Sequence, residues 1–310
     1  MSDSADFEND YTDIVIVAEN EWHSTTQERV TVCIYNSLWE IKEELDPVSG
    51  NKTIDRVFCQ KLLPERENCH AEVLFISDNT LVNKVRQKFT TDEEDDSGVA
   101  IGEDYHHSVV IRILEDKQKI LKEFDNRSAA DVTFVVNGEE CKADRKWMAT
   151  ASPVFNAMLY GQFAEGKQDK IVLEEIESIG IFKDFLLAVS PLRIQPNPSN
   201  VVALLKLAHQ YDIPFLMRNC EDHLMLCYEI SIADRILLAG KYGLDSLRMR
   251  TMQQLSDFEL QEILKDKSDQ LREPESNFLF HIIADRIEEQ RINVQNLEKK
   301  LQEAKKTQKK

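Results

Sequence analysis

Residues 131–143, DVTFVVNGEECKA, restrict the possible folds more than any other part of the chain. Apolar and polar residues alternate on both sides of Asn137-Gly138, and an Asn-Gly pair between two alternating runs is the strongest short-range signal for a β-hairpin. The sequence therefore predicts two strands joined by a tight turn at Asn137 and Gly138.

Short helices are predicted on both sides of this hairpin. Ahead of it, Ile120, Leu121 and Phe124 fall on one face of a helix. After it, two short helices are separated at Ser152-Pro153, because Pro is favoured in the first turn of a helix. Further along, the sequence predicts a strand at 170–173, a helix at 181–188, helices within 200–213 and 213–229, and a helical pair joined near Gly243.

The segment 276–305 reads as one long helix near the C-terminus. Its a and d positions hold Ile283, Ile287, Val294, Leu297 and Leu301, with Gln290 as a polar exception. A short coiled coil and a solvated helix that packs by its first half both fit this pattern, and the sequence leaves both open.

Residues 13–115 carry mostly β signals. The runs 13–18, 30–35, 71–76 and 108–114 are short, rich in Val and Ile, and separated by polar segments. Residues 36–70 fit no single type. We interpret 13–115 as one mostly-β domain, a sandwich, and residues 1–12 as disordered.

The charge of the chain disfavours two classes of partner. It carries 56 acidic and 38 basic residues, a net charge of −18, which disfavours nucleic acid and anionic membrane surfaces because both attract cations.

No apolar run approaches the roughly 18 residues of a membrane-spanning helix, and the acidic start is not typical of a signal peptide. The six cysteines form no CxxC pair, which favours a reduced intracellular protein, cytoplasmic or nuclear.

The stretch GQFAEGKQ at 161–168 resembles a nucleotide-binding phosphate loop at first sight. The position that needs a Ser or Thr hydroxyl for Mg²⁺ holds Gln168, and Glu165 puts a negative charge where phosphate would bind. The predicted order is helix, loop, strand, whereas a phosphate loop follows a strand and opens a helix. We therefore predict no nucleotide site here.

Other catalytic motifs are also missing from the sequence. It contains no GxSxG, no HExxH and no GxGxxG after a strand. Cys59, Cys69, His70 and the pair His106-His107 are the candidates for a zinc site, but structural zinc sites use close Cys-x₂₋₄-Cys pairs. We expect no enzymatic activity, no cofactor and no metal.

The order of elements in residues 131–224 resembles a BTB/POZ domain. The opening shares with that family Asp131 before the first strand, the Gly138 hairpin, a hydrophobic pair followed by Ala, and the Ser-Pro-x-Phe of residues 152–155. The closing helices carry Ala208, Tyr211, Ile213, Leu216, Cys220 and Leu224 at the family's spacings.

One position departs from the family pattern. Asp144 stands where His is usual, just before Arg145. Asp131 and Arg145 are both retained, and in related domains such a charged pair lies near the dimer groove. An ordinary, partly buried ion pair is the alternative interpretation of these two residues.

The resemblance implies a dimer. BTB domains commonly pair through the segment before the first strand and through the first helix, which here hold Leu121, Phe124, Trp147 and Met148. Trp147 between Lys146 and Met148 is more apolar than a monomer surface favours. The alternative is that Trp147 packs inside its own domain, and the sequence does not distinguish a homodimer from a heterodimer with another BTB protein.

The resemblance also implies a ligase partner. BTB domains that bind cullin-3 carry a hydrophobic-x-Glu element between the second helix and the next strand, and Phe163-Ala164-Glu165 fits it. An aromatic anchor would enter a groove on the partner and the carboxylate would fix the register. The same tripeptide pattern occurs at 41–43 and 63–65, so its position carries the prediction. A plain solvated loop is the alternative.

The predicted fold class is α+β. The order is a disordered start (1–12), a mostly-β domain (13–115) that weakly resembles a MATH sandwich, a BTB/POZ domain (116–224), a helical extension (225–272) and a C-terminal helix with a basic tail (273–310). This arrangement resembles MATH–BTB proteins, and it implies a non-enzymatic substrate adaptor of a cullin-3 RING ubiquitin ligase. The alternative is a BTB oligomerisation scaffold in a regulatory or transcriptional complex without ubiquitin transfer.

Overall fold

The structure, a computed structural model, describes residues 11–255 and, beyond them, residues 281 and 284. Within 11–255 it leaves out 12, 24–28, 35–36, 46–51, 63–67, 78–79, 91–98, 101–107, 128–129 and 162–169. The chain divides into two compact units, Met1–Ile230 and Ser231–Lys310. The predicted long helix at 276–305 lies outside the described residues, apart from two positions.

The described elements follow the predicted change from strands to helices. The strands are β1 (Ile14–His23), β2 (Arg29–Ile34), β3 (Ser37–Leu45), β4 (Lys52–Leu62), β5 (Asn68–Ser77), β6 (Thr80–Thr90), β7 (Val99–Ala100), β8 (Ser108–Asp116), β9 (Val132–Val136), β10 (Glu139–Ala143) and β11 (Lys170–Leu173). The helices are α1 (Lys117–Arg127), α2 (Arg145–Ala151), α3 (Pro153–Tyr160), α4 (Ile179–Val189), α5 (Val201–Gln210), α6 (Pro214–Leu226), α7 (Ile232–Tyr242) and α8 (Asp245–Gln254).

The strands before α1 form two antiparallel sheets, which we call the two-sheet half (residues 14–116). The first sheet has the order β1-β8-β5-β6 and the second β2-β3-β4-β7. Side chains from both sheets form one apolar core, in which Trp39 meets Phe89 edge to face at a centroid distance of 4.8 Å. The prediction of a mostly-β N-terminal half is confirmed, and the segment 36–70 that fitted no type holds β3 and β4.

The strands β5 and β8 are buried on both faces. Neighbouring residues of a strand point to opposite faces, so residues between the core positions face away from the second sheet: Glu72, Leu74, Ile76, Val110, Arg112 and Leu114, all buried. Leu74, Ile76 and Val110 pack against Leu226 and Tyr228, at and after the end of α6. This double burial explains why both strands read as nearly continuous apolar runs.

The predicted hairpin is confirmed. Strands β9 and β10 pair antiparallel, and Asn137 and Gly138 both adopt positive φ, 51° and 85°, as the tight turn requires. Strand β11 adds to the other side of β9 in parallel, so the sheet order is β10-β9-β11.

The short helices begin at side-chain caps. Asp144 accepts a 3.0 Å hydrogen bond from the backbone N–H of Trp147 at the start of α2. Ser152 accepts one of 3.1 Å from Phe155 at the start of α3, where Pro153 takes the first helical position. A capping side chain satisfies one of the backbone N–H groups that a helix start leaves unpaired. The Ser152 cap and Pro153 therefore fix the break between α2 and α3.

An aromatic core holds these helices on the three-stranded sheet. Phe155 on α3 stacks on Tyr211 at 4.3 Å and meets Phe134 of β9 at 5.7 Å. Phe182 and Phe185 on α4 complete the group, and all five residues are buried. The family-typical Phe155 and Tyr211 are therefore core residues.

The second unit contains the predicted helical pair. Helix α7 is capped at its C-terminus by Gly243, whose φ of 67° is left-handed, and α8 begins at Asp245. A left-handed residue at a helix end suits Gly because it has no Cβ.

Candidate protein-interaction site

The four residues predicted at a dimer interface lie on α1 and α2. The rings of Phe124 and Trp147 meet edge to face at a centroid distance of 5.8 Å. Phe124 and Met148 are buried within the chain, whereas Leu121 and Trp147 are half-buried. Of the four, Leu121 and Trp147 can therefore contact a second chain without rearrangement.

The predicted charged pair meets through the backbone. Asp131 accepts a 2.8 Å hydrogen bond from the backbone N–H of Arg145, at the start of α2. The guanidinium of Arg145 donates to the carbonyl oxygen of Leu159 at 3.1 Å, which ties α2 to α3. Asp144, the departure from the family pattern, has the separate role of helix cap described above.

The residues predicted to bind cullin-3, Phe163 and Glu165, lie outside the described residues. The elements before and after them, α3 ending at Tyr160 and β11 beginning at Lys170, confirm the predicted order of helix and strand. Tyr160 is 58% exposed and Val172 of β11 is 63% exposed. Both neighbouring elements thus present a large apolar side chain to solvent.

A group of charged side chains centred on the fully buried Arg112 was not predicted from the sequence. Arg112, whose side chain is fully buried on β8, lies 3.2 Å from Glu19, 3.0 Å from Glu72 and 2.5 Å from Glu229. Around these, Glu72 also contacts Lys84, Arg86 and the hydroxyl of Tyr11. We call Tyr11, Glu19, Glu72, Lys84, Arg86, Arg112 and Glu229 the Arg112 cluster.

Tyr11 belongs to the segment 1–12 that the sequence predicts to be disordered. It is only 2% exposed, and the guanidinium of Arg86 lies over its ring at 4.8 Å. The other residues of that segment lie outside the described part of the chain.

The charges of the Arg112 cluster stabilise one another. Burial alone would raise the pKa of a carboxyl group. For Glu72, Arg112 and Lys84 outweigh burial and lower the pKa, and for Glu229, Arg112 lowers it to about 2. Burial alone would lower the pKa of Arg112, but Glu229 and Glu19 raise it. These groups therefore stay ionised at neutral pH.

The pairing of the strands explains how the cluster forms. Glu19 lies opposite Arg112, Arg112 opposite Glu72, and Glu72 opposite Arg86, so alternating charges cross all four strands of the first sheet. Directly opposed charges of opposite sign stabilise a sheet. The sequence signal is a charged residue inside each of two apolar runs, Glu72 in 71–76 and Arg112 in 108–114.

His223 extends the cluster from α6. Its Nδ1 lies 2.6 Å from a carboxylate oxygen of Glu19, and its side chain is fully buried. Burial lowers the pKa of His223, but Glu19, with a contribution from Cys227, raises it to about 9. His223 is therefore protonated at neutral pH and forms an ion pair with Glu19.

We predict that the free energy of unfolding falls as the pH rises from 6.5 to about 9. A group with a raised folded-state pKa contributes stability that is complete below its unfolded pKa and is lost as pH rises through the folded value. For His223 the rise from 6.5 to about 9 corresponds to roughly 3 kcal/mol. Urea unfolding followed by tryptophan fluorescence across this range measures the fall. His223→Gln is the control, and an equal fall in that variant would assign the pH dependence to another group.

Two further observations concern only the described residues. In that part of the chain, no group of three or more His, Cys, Asp or Glu side chains is arranged to hold a metal ion. No helix there combines the length and the apolar character needed to cross a bilayer.

Comparison with known proteins identifies the part of the first unit that follows the two-sheet half. Residues 121–227 match the family model of the BTB/POZ domain, so the chain contains a BTB/POZ domain. Its relatives extend the likeness, because they are proteins of the MATH–BTB type. The resemblance to BTB/POZ and MATH–BTB proteins predicted from the sequence is thereby confirmed.

Two relatives and one solved structure illustrate the likeness. BTB and MATH domain-containing protein 36 of Caenorhabditis elegans is 28% identical over 163 residues, 50% of this chain and 51% of that protein. BTB/POZ and MATH domain-containing protein 4 of Arabidopsis thaliana is 28% identical over 166 residues, 48% and 35% of the two chains. These alignments span about half, or less, of each relative's length. The BTB domain of human Gigaxonin is 22% identical, with a TM-score of 0.28, over 34% of this chain and 91% of that one.

Proposed function

We propose that this protein is a substrate adaptor of a cullin-3 RING ubiquitin ligase and that it acts without catalysing a reaction itself. The observation that carries the proposal is the BTB/POZ domain at 121–227, preceded by the two-sheet half, in a chain related to BTB and MATH domain-containing proteins. In this proposal the BTB domain binds the ligase and a partner chain, while the two-sheet half, as a divergent MATH-like domain (13–115), binds the substrate.

The proposed roles combine the exposure of side chains on α1 and α2 with the family pattern at 163–165. Leu121 and Trp147, which retain exposure on α1 and α2, would contact the second chain of a dimer. Phe163 and Glu165 would bind cullin-3, and the neighbouring exposed Tyr160 enlarges the apolar area available there. The reduced cysteines and the acidic charge favour a cytoplasmic or nuclear location.

The double variant Phe163→Ala, Glu165→Ala should lose cullin-3 binding. An aromatic anchor is a typical hot spot that costs about 2 kcal/mol or more when truncated, and loss of the carboxylate that fixes the register adds to this cost. The dissociation constant should therefore rise roughly 100-fold or more. A pull-down with the purified N-terminal domain of cullin-3, followed by calorimetric titration, measures the change.

The matched control is Leu63→Ala, Glu65→Ala, which removes the same hydrophobic-x-Glu pattern outside the BTB domain. This control should bind cullin-3 like the wild type, and both variants should remain dimeric by light scattering. If folded, dimeric wild type does not bind cullin-3, the adaptor proposal fails and the BTB scaffold without ubiquitin transfer replaces it.

A further inference from the structure

The outer face of the first sheet, opposite the core of the two-sheet half, is covered by the end of the BTB domain. Leu226, the last residue of α6, and Tyr228 pack on the buried apolar residues Leu74, Ile76 and Val110. The contact joins the two halves of the unit Met1–Ile230, which the sequence predicts to be separate domains. It is therefore an interface within one compact unit.

Charged and polar side chains also cross this interface. Arg112 of β8 contacts the carboxylate of Glu229 and donates to the carbonyl oxygen of Leu226 at 3.3 Å. His223 of α6 contacts Glu19 of β1, and the hydroxyl of Tyr228 donates to Glu21 at 2.6 Å. Every pair joins the first sheet to α6 or to the three residues after it.

A second group of contacts lies at the start of β1 and at α4. The backbone N–H of Gln195 donates to the carbonyl oxygen of Ile16 at 3.1 Å, a strand-like bridge. Lys117, the first residue of α1, lies 2.7 Å from Asp184 and so anchors the chain to α4 where it leaves β8. These contacts add attachment through residues other than those of α6.

We infer that these contacts form a fixed joint that holds the two-sheet half on the BTB domain in one orientation, with Glu229 as its central residue. The orientation is specified because a shift of a few ångströms would withdraw the carboxylate of Glu229 from both Arg112 and Lys84. Two buried cations would then share the carboxylates of the first sheet alone, and incompletely compensated buried charge is unfavourable. If the proposed function holds, the joint presents a bound substrate at a constant orientation to the ligase. The joint itself does not depend on that function.

Glu229→Lys tests the joint in the full-length chain. The new ammonium group would face Arg112 and Lys84, while the cores of both halves keep all their residues. We expect the single calorimetric unfolding transition of the two halves to split into two and the radius of gyration from small-angle X-ray scattering to increase. Any transition from Ser231–Lys310 is common to all the proteins compared.

Glu140→Lys is the matched control, because it reverses a carboxylate of an exposed ion pair with Lys170. This variant should keep a single calorimetric unfolding transition for the two halves and the wild-type radius of gyration. The inference is overturned if Glu229→Lys also keeps them, or if both reversals behave alike.

Glu229→Gln provides the test if the reversal prevents folding. Amide hydrogen exchange should then accelerate at least tenfold in α6 and β8, while the hairpin β9–β10 keeps its wild-type rates. An equal acceleration of exchange in the hairpin, or no acceleration in α6, would contradict the inference of a fixed joint. None of these three measurements involves cullin-3, so their results are independent of the proposed function.

Discussion

Replacing Arg112 with Met should lower the free energy of unfolding of the unit Met1–Ile230 by about 3–5 kcal/mol. The side chain is fully buried and is paired with Glu19, Glu72 and Glu229. Met has a similar length, so the change removes the charge with little loss of volume. The carboxylates then remain buried beside one another without their central cation, which is the main cost.

Urea unfolding followed by tryptophan fluorescence at neutral pH measures this loss. Lys170→Met is the control, because Lys170 pairs with Glu140 on the surface and exposed pairs contribute about 1 kcal/mol or less. A loss in Arg112→Met no greater than that in Lys170→Met would contradict the ion network.

The features predicted correctly from the sequence depend on residues close together in the chain. Asn137-Gly138 specifies its own turn, and Ser152-Pro153 carries both a cap and a helix start. The strand β3 was missed because its second half, IKEEL, consists mainly of residues that favour helices. Trp39 and Ile41 of this strand point into the core. Their spacing identifies a strand only when the position of the opposite sheet is known.

The Arg112 cluster could not be predicted for a related reason. Arg112 and Glu229 are separated by 117 positions in the chain, and a lone charge in an apolar run does not identify its partner. The partner follows from strand register and from the position of α6, which are both results of folding. The prediction for Phe163 and Glu165 has a different basis. It rests on the place of these residues in a family pattern and not on contacts formed by folding.

Phe155→Ala should destabilise the BTB domain by about 3–5 kcal/mol. Phe155 is 0% exposed, and its ring contacts Tyr211, Phe134 and Phe185. Truncation removes the apolar surface buried by the ring and leaves a cavity between α3, β9 and the helices behind them. Close-packed aromatic neighbours collapse only partly into such a cavity, so the cost exceeds that of the transfer to water alone.

The neighbouring residue on α3 provides the control for this prediction. Val154 is 37% exposed, and Val154→Ala should change the free energy of unfolding by roughly 0.5 kcal/mol or less. Both variants are compared by urea unfolding, with the proposed dimer followed by light scattering at equal protein concentration. Because α2 packs next to α3, we expect Phe155→Ala to weaken the proposed dimer as well as the fold. Equal stabilities for the two variants would mean that the ring of Phe155 is not part of the core.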